Sequence, residues 1–274
     1  MPFEGEMAAS FAVAGVDLET VNERFDLGAN GLAGEVFLTG SASGTPEEPQ
    51  IDARIRAFDV VYADYDVDAL QVEVAGGLDE LRVNDLFASS GRIVARVDGS
   101  LSEIDLDKPN AQIDGTVRLA GPVDQNTLEL AELSEQDLVG TVNARVDVSG
   151  DLQQPSADGE VYLDYARYDA VSTDDAVMRV SLRGDVLRME ELRVPIGEAV
   201  VSGNATVTSI FDEPVVAASV NARDVVLQDM ALWQEMGLPL SGTVNLPYLS
   251  VQGPLDNLKG LAQVQATDLE LGTE

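Results

Sequence analysis

Apolar and polar residues alternate along most of this chain, and this alternation limits what it can fold into. In residues 141–148, valine or alanine occupies every second position and polar residues lie between. This period of two places all the apolar side chains on one face of an extended strand, which favours a half-buried β-strand. Six further segments alternate in the same way: 51–57, 93–97, 161–165, 178–182, 216–222 and 262–266. Gly, Asp, Asn and Pro separate these segments, as turns between strands require. The sequence therefore predicts an all-β fold.

Helical patterns are confined to three short segments, residues 16–27, 128–138 and 226–236. Each is followed within a few residues by a Gly-x-Val strand start: Gly34, Gly140 and Gly242. We therefore expect short helices between groups of strands.

The chain contains an internal repeat. A shift of 140 − 34 = 106 residues aligns 34–91 with 140–197 without a gap, and 14 of these 58 positions are identical. The densest match joins Asp79-x-Leu81-Arg82 to the same pattern that starts at Asp185. A repeat of half-buried strands cannot cover its apolar face alone, so we expect the copies to stack into one continuous, elongated body.

The repeat divides the chain into four parts. Residues 34–139 and 140–241 are each one repeat of about 100 residues, and 242–274 starts a further copy, because Gly242 opens the same four residues as Gly140. Residues 1–33 are interpreted as the end of a preceding copy. Pro247 interrupts the first strand of the third copy, so we expect that strand to be bulged or at an edge. Both ends of the chain are interpreted as cuts through a longer protein.

Composition excludes several classes of function. The chain has 16 Lys+Arg against 49 Asp+Glu, a net charge of −33, so no nucleic acid partner is expected. It has no Cys and no His, which removes thiol nucleophiles, Ser-His-Asp triads and Cys/His metal sites. The Asp-rich segment 59–68 matches neither calcium-binding pattern. We predict no catalytic residues, no metal, no cofactor and no enzymatic activity.

The order of marks in each repeat resembles a known family. Residues 140–152 run from a Gly-Thr-Val strand start to a Gly-Asp-Leu turn, 185–192 carry Asp-x-Leu-Arg-Met-Glu-Glu-Leu, and 237–244 read Gly-Leu-Pro-Leu-Ser-Gly-Thr-Val. These segments resemble the repeats of AsmA-like proteins, in particular the translocation and assembly module subunit TamB family. The resemblance covers essentially the whole chain and places it in the middle of such a protein.

The resemblance implies a U-shaped, taco-like β-sheet that crosses the periplasm of a Gram-negative bacterium. It implies an inner-membrane anchor outside this chain, and an apolar groove that carries phospholipid acyl chains toward the outer membrane and supports outer-membrane biogenesis. Contact with an outer-membrane TamA-like protein is implied only through regions not in this chain.

The groove is predicted to be lined by apolar residues at alternating strand positions. The candidates are Ile55, Val74, Leu81, Val97, Val142, Val146, Val148, Val161, Leu163, Val180, Leu182, Leu187, Met189, Val207, Val220 and Val264. From alternation alone, these positions fit an ordinary core as well as a lipid groove. An alternative is a secreted or surface β-solenoid adhesin, and a carbohydrate-active β-helix is a third. Rungs of roughly 20 to 25 residues would favour a closed solenoid, whereas the unit of about 100 residues with a recurrent helix favours the family resemblance.

Overall fold

The computed structural model describes twelve segments of the chain. They are residues 7–25, 32–45, 48–62, 65–77, 79–105, 110–123, 138–152, 154–168, 171–210, 213–227, 240–254 and 257–271. These segments contain fifteen β-strands and one α-helix, α1 (Leu18–Phe25). The predicted all-β fold is confirmed.

The first seven strands are β1 (Met7–Asp17), β2 (Ala33–Gly44), β3 (Pro49–Tyr62), β4 (Tyr65–Gly76), β5 (Glu80–Ser90), β6 (Ile93–Asp105) and β7 (Asn110–Val123). The other eight are β8 (Leu138–Asp151), β9 (Gln154–Tyr168), β10 (Val171–Arg183), β11 (Val186–Ile196), β12 (Ala199–Thr208), β13 (Val215–Val226), β14 (Leu240–Pro254) and β15 (Lys259–Leu271). They form one sheet in sequence order, with β1 and β15 at its edges. Each register resolved between neighbours is antiparallel, as short turns between consecutive strands require.

The chain forms two compact units. Unit 1 consists of Met1–Gly121 and Val146–Pro155, and unit 2 consists of Pro122–Arg145 and Ser156–Glu274. Strand β8 therefore contributes its second half to unit 1 and its first half to unit 2. The repeat boundaries at residues 34, 140 and 242 stay a prediction, because compact units and sequence repeats need not coincide.

Irregularities of the strand pairing recur at the repeat spacing. The register between β4 and β5 shifts between Glu73 and Val74, and that between β10 and β11 shifts 106 residues later, between Arg179 and Val180. The register between β5 and β6 shifts in the segment 83–86, and the register between β11 and β12 shifts in the segment 189–192. A bulge adds a residue to one strand and reverses the alternation beyond it. Equivalent strands in the two units are thus interrupted at equivalent positions.

Residues with positive φ follow the same spacing. Asp59 has φ 50° in β3 and Tyr165 has φ 49° in β9, 106 residues later. Glu103 and Ser209, with φ of 53° and 55°, are also 106 residues apart. The left-handed region disfavours residues with a Cβ, so each of these positions holds local strain.

The helix α1 begins after an N-cap. Asp17 accepts hydrogen bonds from the backbone N–H of Glu19 (3.1 Å) and from Oγ1 of Thr20 (3.0 Å). This cap satisfies donors that the first helical turn leaves free. The helix lies within the predicted segment 16–27. The other two predicted helices, 128–138 and 226–236, lie outside the described residues except at their ends, where Leu138 belongs to β8 and Val226 to β13.

The strand β14 is bulged beside Pro247. Its register shifts toward β13 between Leu246 and Leu249, and toward β15 between Asn245 and Tyr248. Proline has no N–H to donate, so the ladder is interrupted where it stands. The predicted disturbance of this strand is confirmed as a bulge, and β14 is not an edge strand.

Few described side chains are buried. The buried apolar residues are mainly alanines: Ala53, Ala57, Ala111, Ala166, Ala176, Ala199 and Ala222, with Val123 and Leu227. Among the described residues, no large side chain is fully buried. The described strands therefore do not enclose an ordinary core of interlocking large residues.

Replacing Tyr165 by Gly tests the strain at the positive-φ positions. Tyr165 is 67% exposed, so its side chain contributes little burial, and glycine adopts φ 49° without the Cβ penalty. We expect Tyr165→Gly to raise the free energy of unfolding of the chain by about 0.5 to 1 kcal/mol. Urea denaturation measures this change. Tyr162→Gly, three residues away in regular strand, is the matched control and should lower stability. Destabilisation of similar size by both variants would contradict the assignment of strain to Tyr165.

Candidate functional site

The register of unit 2 separates an apolar face from a charged face. On β10, Met178 lies opposite Val161 of β9 and Leu192 of β11, whereas Arg179 lies opposite Glu160 and Glu191. Directly paired residues lie on the same side of a sheet, so each face can be followed from strand to strand.

We define the apolar face of unit 2 by its larger residues. They are Val142, Val161, Leu163, Met178, Val180, Leu182, Leu187, Met189, Leu192, Val194, Val201, Val207, Val216, Val220, Val244, Leu249, Val251 and Val264. Val142 belongs to it because its neighbour Asn143 donates a hydrogen bond to Asp164 on the charged face (2.8 Å).

Unit 1 has an apolar face of the same kind. Its larger residues are Phe11, Val13, Val36, Leu38, Ile51, Ile55, Leu70, Val72, Val74, Leu81, Val83, Leu86, Val97, Leu101, Ile113, Val117, Leu119, Val146 and Val148. The two valines of β8 belong to it because Thr116, on the opposite face of β7, donates a hydrogen bond to Asp147 (2.6 Å). The ring of Phe11 lies over Gly40, where an added Cβ would come within 2.6 Å of it.

All sixteen residues predicted to line the groove lie on these two faces. Unit 1 holds Ile55, Val74, Leu81, Val97, Val146 and Val148, and unit 2 holds Val142, Val161, Leu163, Val180, Leu182, Leu187, Met189, Val207, Val220 and Val264. None is buried, and Leu187 and Val264 are 37% and 60% exposed. The structure thus places these side chains together and leaves them accessible. Their contact with lipid stays a prediction.

The alternation did not identify Leu86 and Leu192 as members of the apolar faces. Both follow a bulge, so counting every second residue from Leu81 or Leu187 assigns them to the charged face. The signal that could have found them is the repeated Asp-x-Leu-Arg-x-x-x-Leu pattern, in which two leucines at an odd spacing recur in both copies. An odd spacing on a one-sided strand requires a bulge between the two residues.

The charged face of unit 2 carries a cross-strand network around Arg179. The guanidinium of Arg179 donates to Glu160 on β9 (2.9 Å) and to Glu191 on β11 (2.7 Å). The hydroxyl of Tyr162 also donates to Glu160 (2.8 Å). Other ion pairs on the charged faces are Arg183–Asp158 (2.7 Å), Arg54–Glu73 (2.6 Å) and Arg118–Asp98. All these groups are solvent-accessible, so each pair contributes little to stability.

The hydrogen bonds of this network shift two pKa values. The hydrogen bond from Arg179 lowers the pKa of Glu160, and the hydrogen bond from Tyr162 adds to this effect. The same bond raises the pKa of Tyr162, because its loss would place two negative charges together. The network matches ordinary ion pairing on a solvated face, with no acid or base poised for catalysis near neutral pH.

A depression of about 770 Å³ lies at one hairpin edge of unit 1, away from the apolar face. Glu48, Asp79, Glu80 and Arg82 line it. Arg82 donates to Glu80 (2.9 Å), and this bond lowers the pKa of Glu80. Its polar lining and wide opening differ from the enclosed, mainly apolar pockets that take small molecules.

In the part of the chain that the structure describes, no group of three or more acidic side chains is arranged to hold a metal ion. The described part also has no helix with the length and apolar character needed to cross a membrane. Comparison of the chain with known protein families, curated proteins and solved structures finds no match.

Removing Arg179 tests the origin of the Glu160 shift. Because Arg179 stabilises the carboxylate of Glu160, the Arg179→Gln variant should return the pKa of Glu160 toward its ordinary value. A carboxyl with a lowered folded pKa stabilises the fold at neutral pH and loses that contribution as pH falls through the folded pKa. NMR titration of the Glu side chains measures the change. Arg188→Gln on the same face of β11 should leave Glu160 unchanged, and an equal shift in both variants would contradict the assignment.

Salt should stabilise this chain despite its ion pairs. A net charge of −33 makes repulsion between carboxylates larger than the attraction within exposed pairs, and salt screens both. We expect Tm to rise by about 5 °C between about 0.05 M and 0.5 M NaCl. Thermal unfolding followed by circular dichroism measures it. A fall in Tm with added salt would mean that the ion pairs outweigh the repulsion.

Proposed function

We propose that this chain is a non-enzymatic segment of an AsmA-like, TamB-type envelope protein, and that its apolar faces shield phospholipid acyl chains. The observation that carries the proposal is the accessibility of these faces, since all sixteen predicted residues on them are at least partly exposed. Exposed apolar surface of this extent is unusual on a soluble protein and marks a binding surface.

The nature of the surface favours acyl chains as the occupant. Each methylene moved from water onto an apolar surface gains about 0.8 kcal/mol when it is fully buried. An acyl chain has no polar groups along its length, so it needs no hydrogen-bonding partners, and the larger residues of the two faces are Val, Leu, Ile, Met and Phe. A protein segment would need polar partners for its own backbone.

The openness of the faces also bears on the main alternative. A closed β-solenoid fills its interior with large side chains that are fully buried. The described residues include no such side chain, which supports an open surface over a closed solenoid adhesin.

The cellular part of the proposal follows from the family resemblance. We place the chain in the periplasm, anchored to the inner membrane through a segment outside it, where it carries phospholipid between the two membranes and supports outer-membrane biogenesis. A TamA-like outer-membrane protein would be contacted through other regions.

Paired substitutions on opposite faces of unit 2 test lipid binding. We expect phospholipid to copurify with the chain in the absence of detergent, and Val180→Asp with Leu187→Asp to reduce the bound lipid at least about tenfold. These variants place charges where acyl chains would lie, and burying an unpaired charge is costly. Mass spectrometry of extracted lipid measures the amount bound.

The matched control is Val177→Asp with Val186→Asp. These valines lie on the same two strands but on the charged face, and they are also only partly exposed. The control should retain lipid at the wild-type level. Absence of lipid from a folded wild-type chain, or equal loss in both pairs of variants, would contradict the proposal and favour the adhesin alternative.

A further inference from the structure

The arginines of the strands are concentrated away from the apolar faces. In unit 2, Arg179, Arg183, Arg188, Arg193 and Arg223 all lie on the charged face by their register. In unit 1, Arg54, Arg56, Arg82, Arg96 and Arg118 do the same. A phosphate group at the border of either apolar face would therefore find these guanidinium groups on the far side of the sheet.

The border of each apolar face carries a carboxylate instead. Asp68 lies two residues before Leu70 on β4, and Asp174 lies two residues before Ala176 on β10, so each is on the apolar-face side of its strand. Asp68 accepts a hydrogen bond from the backbone N–H of Gly91 (2.6 Å), which places it at the β5–β6 hairpin. Asp174 is exposed at the equivalent position of the other repeat, since 174 − 68 = 106.

These carboxylates lie within the reach of a lipid headgroup. Two residues of a strand span about 7 Å, so Asp68 and Asp174 are next to the last apolar residue of their strands. An acyl chain on the face would end near them. The chain as a whole adds to the same negative field, with 49 acidic against 16 basic residues.

We propose that the apolar faces select phospholipids of zero net charge, of the phosphatidylethanolamine class, over lipids with anionic headgroups. This inference rests on the proposed lipid binding. The ammonium group of such a headgroup can pair with the carboxylate of Asp68 or Asp174 and offset the repulsion of its phosphate. A phosphatidylglycerol headgroup has no positive charge and meets only repulsion.

Extraction from mixed vesicles tests the selectivity. The chain is incubated with vesicles that contain equal amounts of phosphatidylethanolamine and phosphatidylglycerol with identical acyl chains, and the protein-bound lipid is analysed by mass spectrometry. Because both lipids share one vesicle surface, the ratio reports headgroup preference and not repulsion of the protein from the membrane. We expect about tenfold enrichment of phosphatidylethanolamine at about 0.05 M salt, and less at about 0.5 M.

The variant Asp68→Asn with Asp174→Asn should reduce the enrichment, while Asp52→Asn with Asp114→Asn makes the same charge change on the charged face and should not. Circular dichroism checks that both variants fold, and the salt dependence of the wild-type chain tests the inference without any substitution. Equal extraction of the two lipids, enrichment of phosphatidylglycerol, or an equal loss in both variants would overturn it. Absence of both lipids would instead contradict the proposed function, and this inference would fall with it.

Discussion

The hydrogen-bond ladder between neighbouring strands is the interaction on which the rest of this structure depends. The described strands bury mainly alanines, so they lack the large interlocking side chains that hold a two-layer domain together. In such a sheet the register is decisive, because a slip by one residue would exchange the apolar and charged faces of a strand. The recurrence of bulges at the same spacing, at Val74 and again at Val180, is consistent with this requirement.

The strands and their faces could be predicted from the sequence because both follow from a period of two. Val161 and Leu163 lie on the apolar face that alternation assigns to them, and the same holds for the other fourteen groove candidates. The bulges could not be predicted in this way, since alternation describes a strand only up to the next irregularity. Leu86 and Leu192 were missed for that reason, and the helix expected at residues 128–138 lies almost wholly outside the described residues.

The acidic borders could not be predicted from the sequence either. Segment 66–70 reads Asp-Val-Asp-Ala-Leu, in which the polar and apolar positions exchange phase between Asp68 and Leu70. Taken alone, such a segment belongs equally well to either face. Only the pairing of Leu70 with Ala88 on β5 shows that both residues lie on the apolar-face side. The composition indicated an acidic surface, but placing its charges required the register.

The two edges of the sheet are out of phase with each other. In β1, Gly15 has φ 62°, as Asp224 has φ 56° in β13, and the segments around them share the Ala-Ala-Ser that the repeat predicts. In β15, Asp268 has φ 54° and corresponds to Asp59 in β3 and to its equivalent in β9. The strands that follow β3 and β9 are β4 and β10, whose bulges and polarity differ from those of β13. Joining β15 to the β1 of a second copy would therefore put a β13-type strand where the repeat has β4 or β10. The mismatch in bulges and faces opposes edge-to-edge growth, although the edge strand β15 exposes leucines and valines that would otherwise promote it.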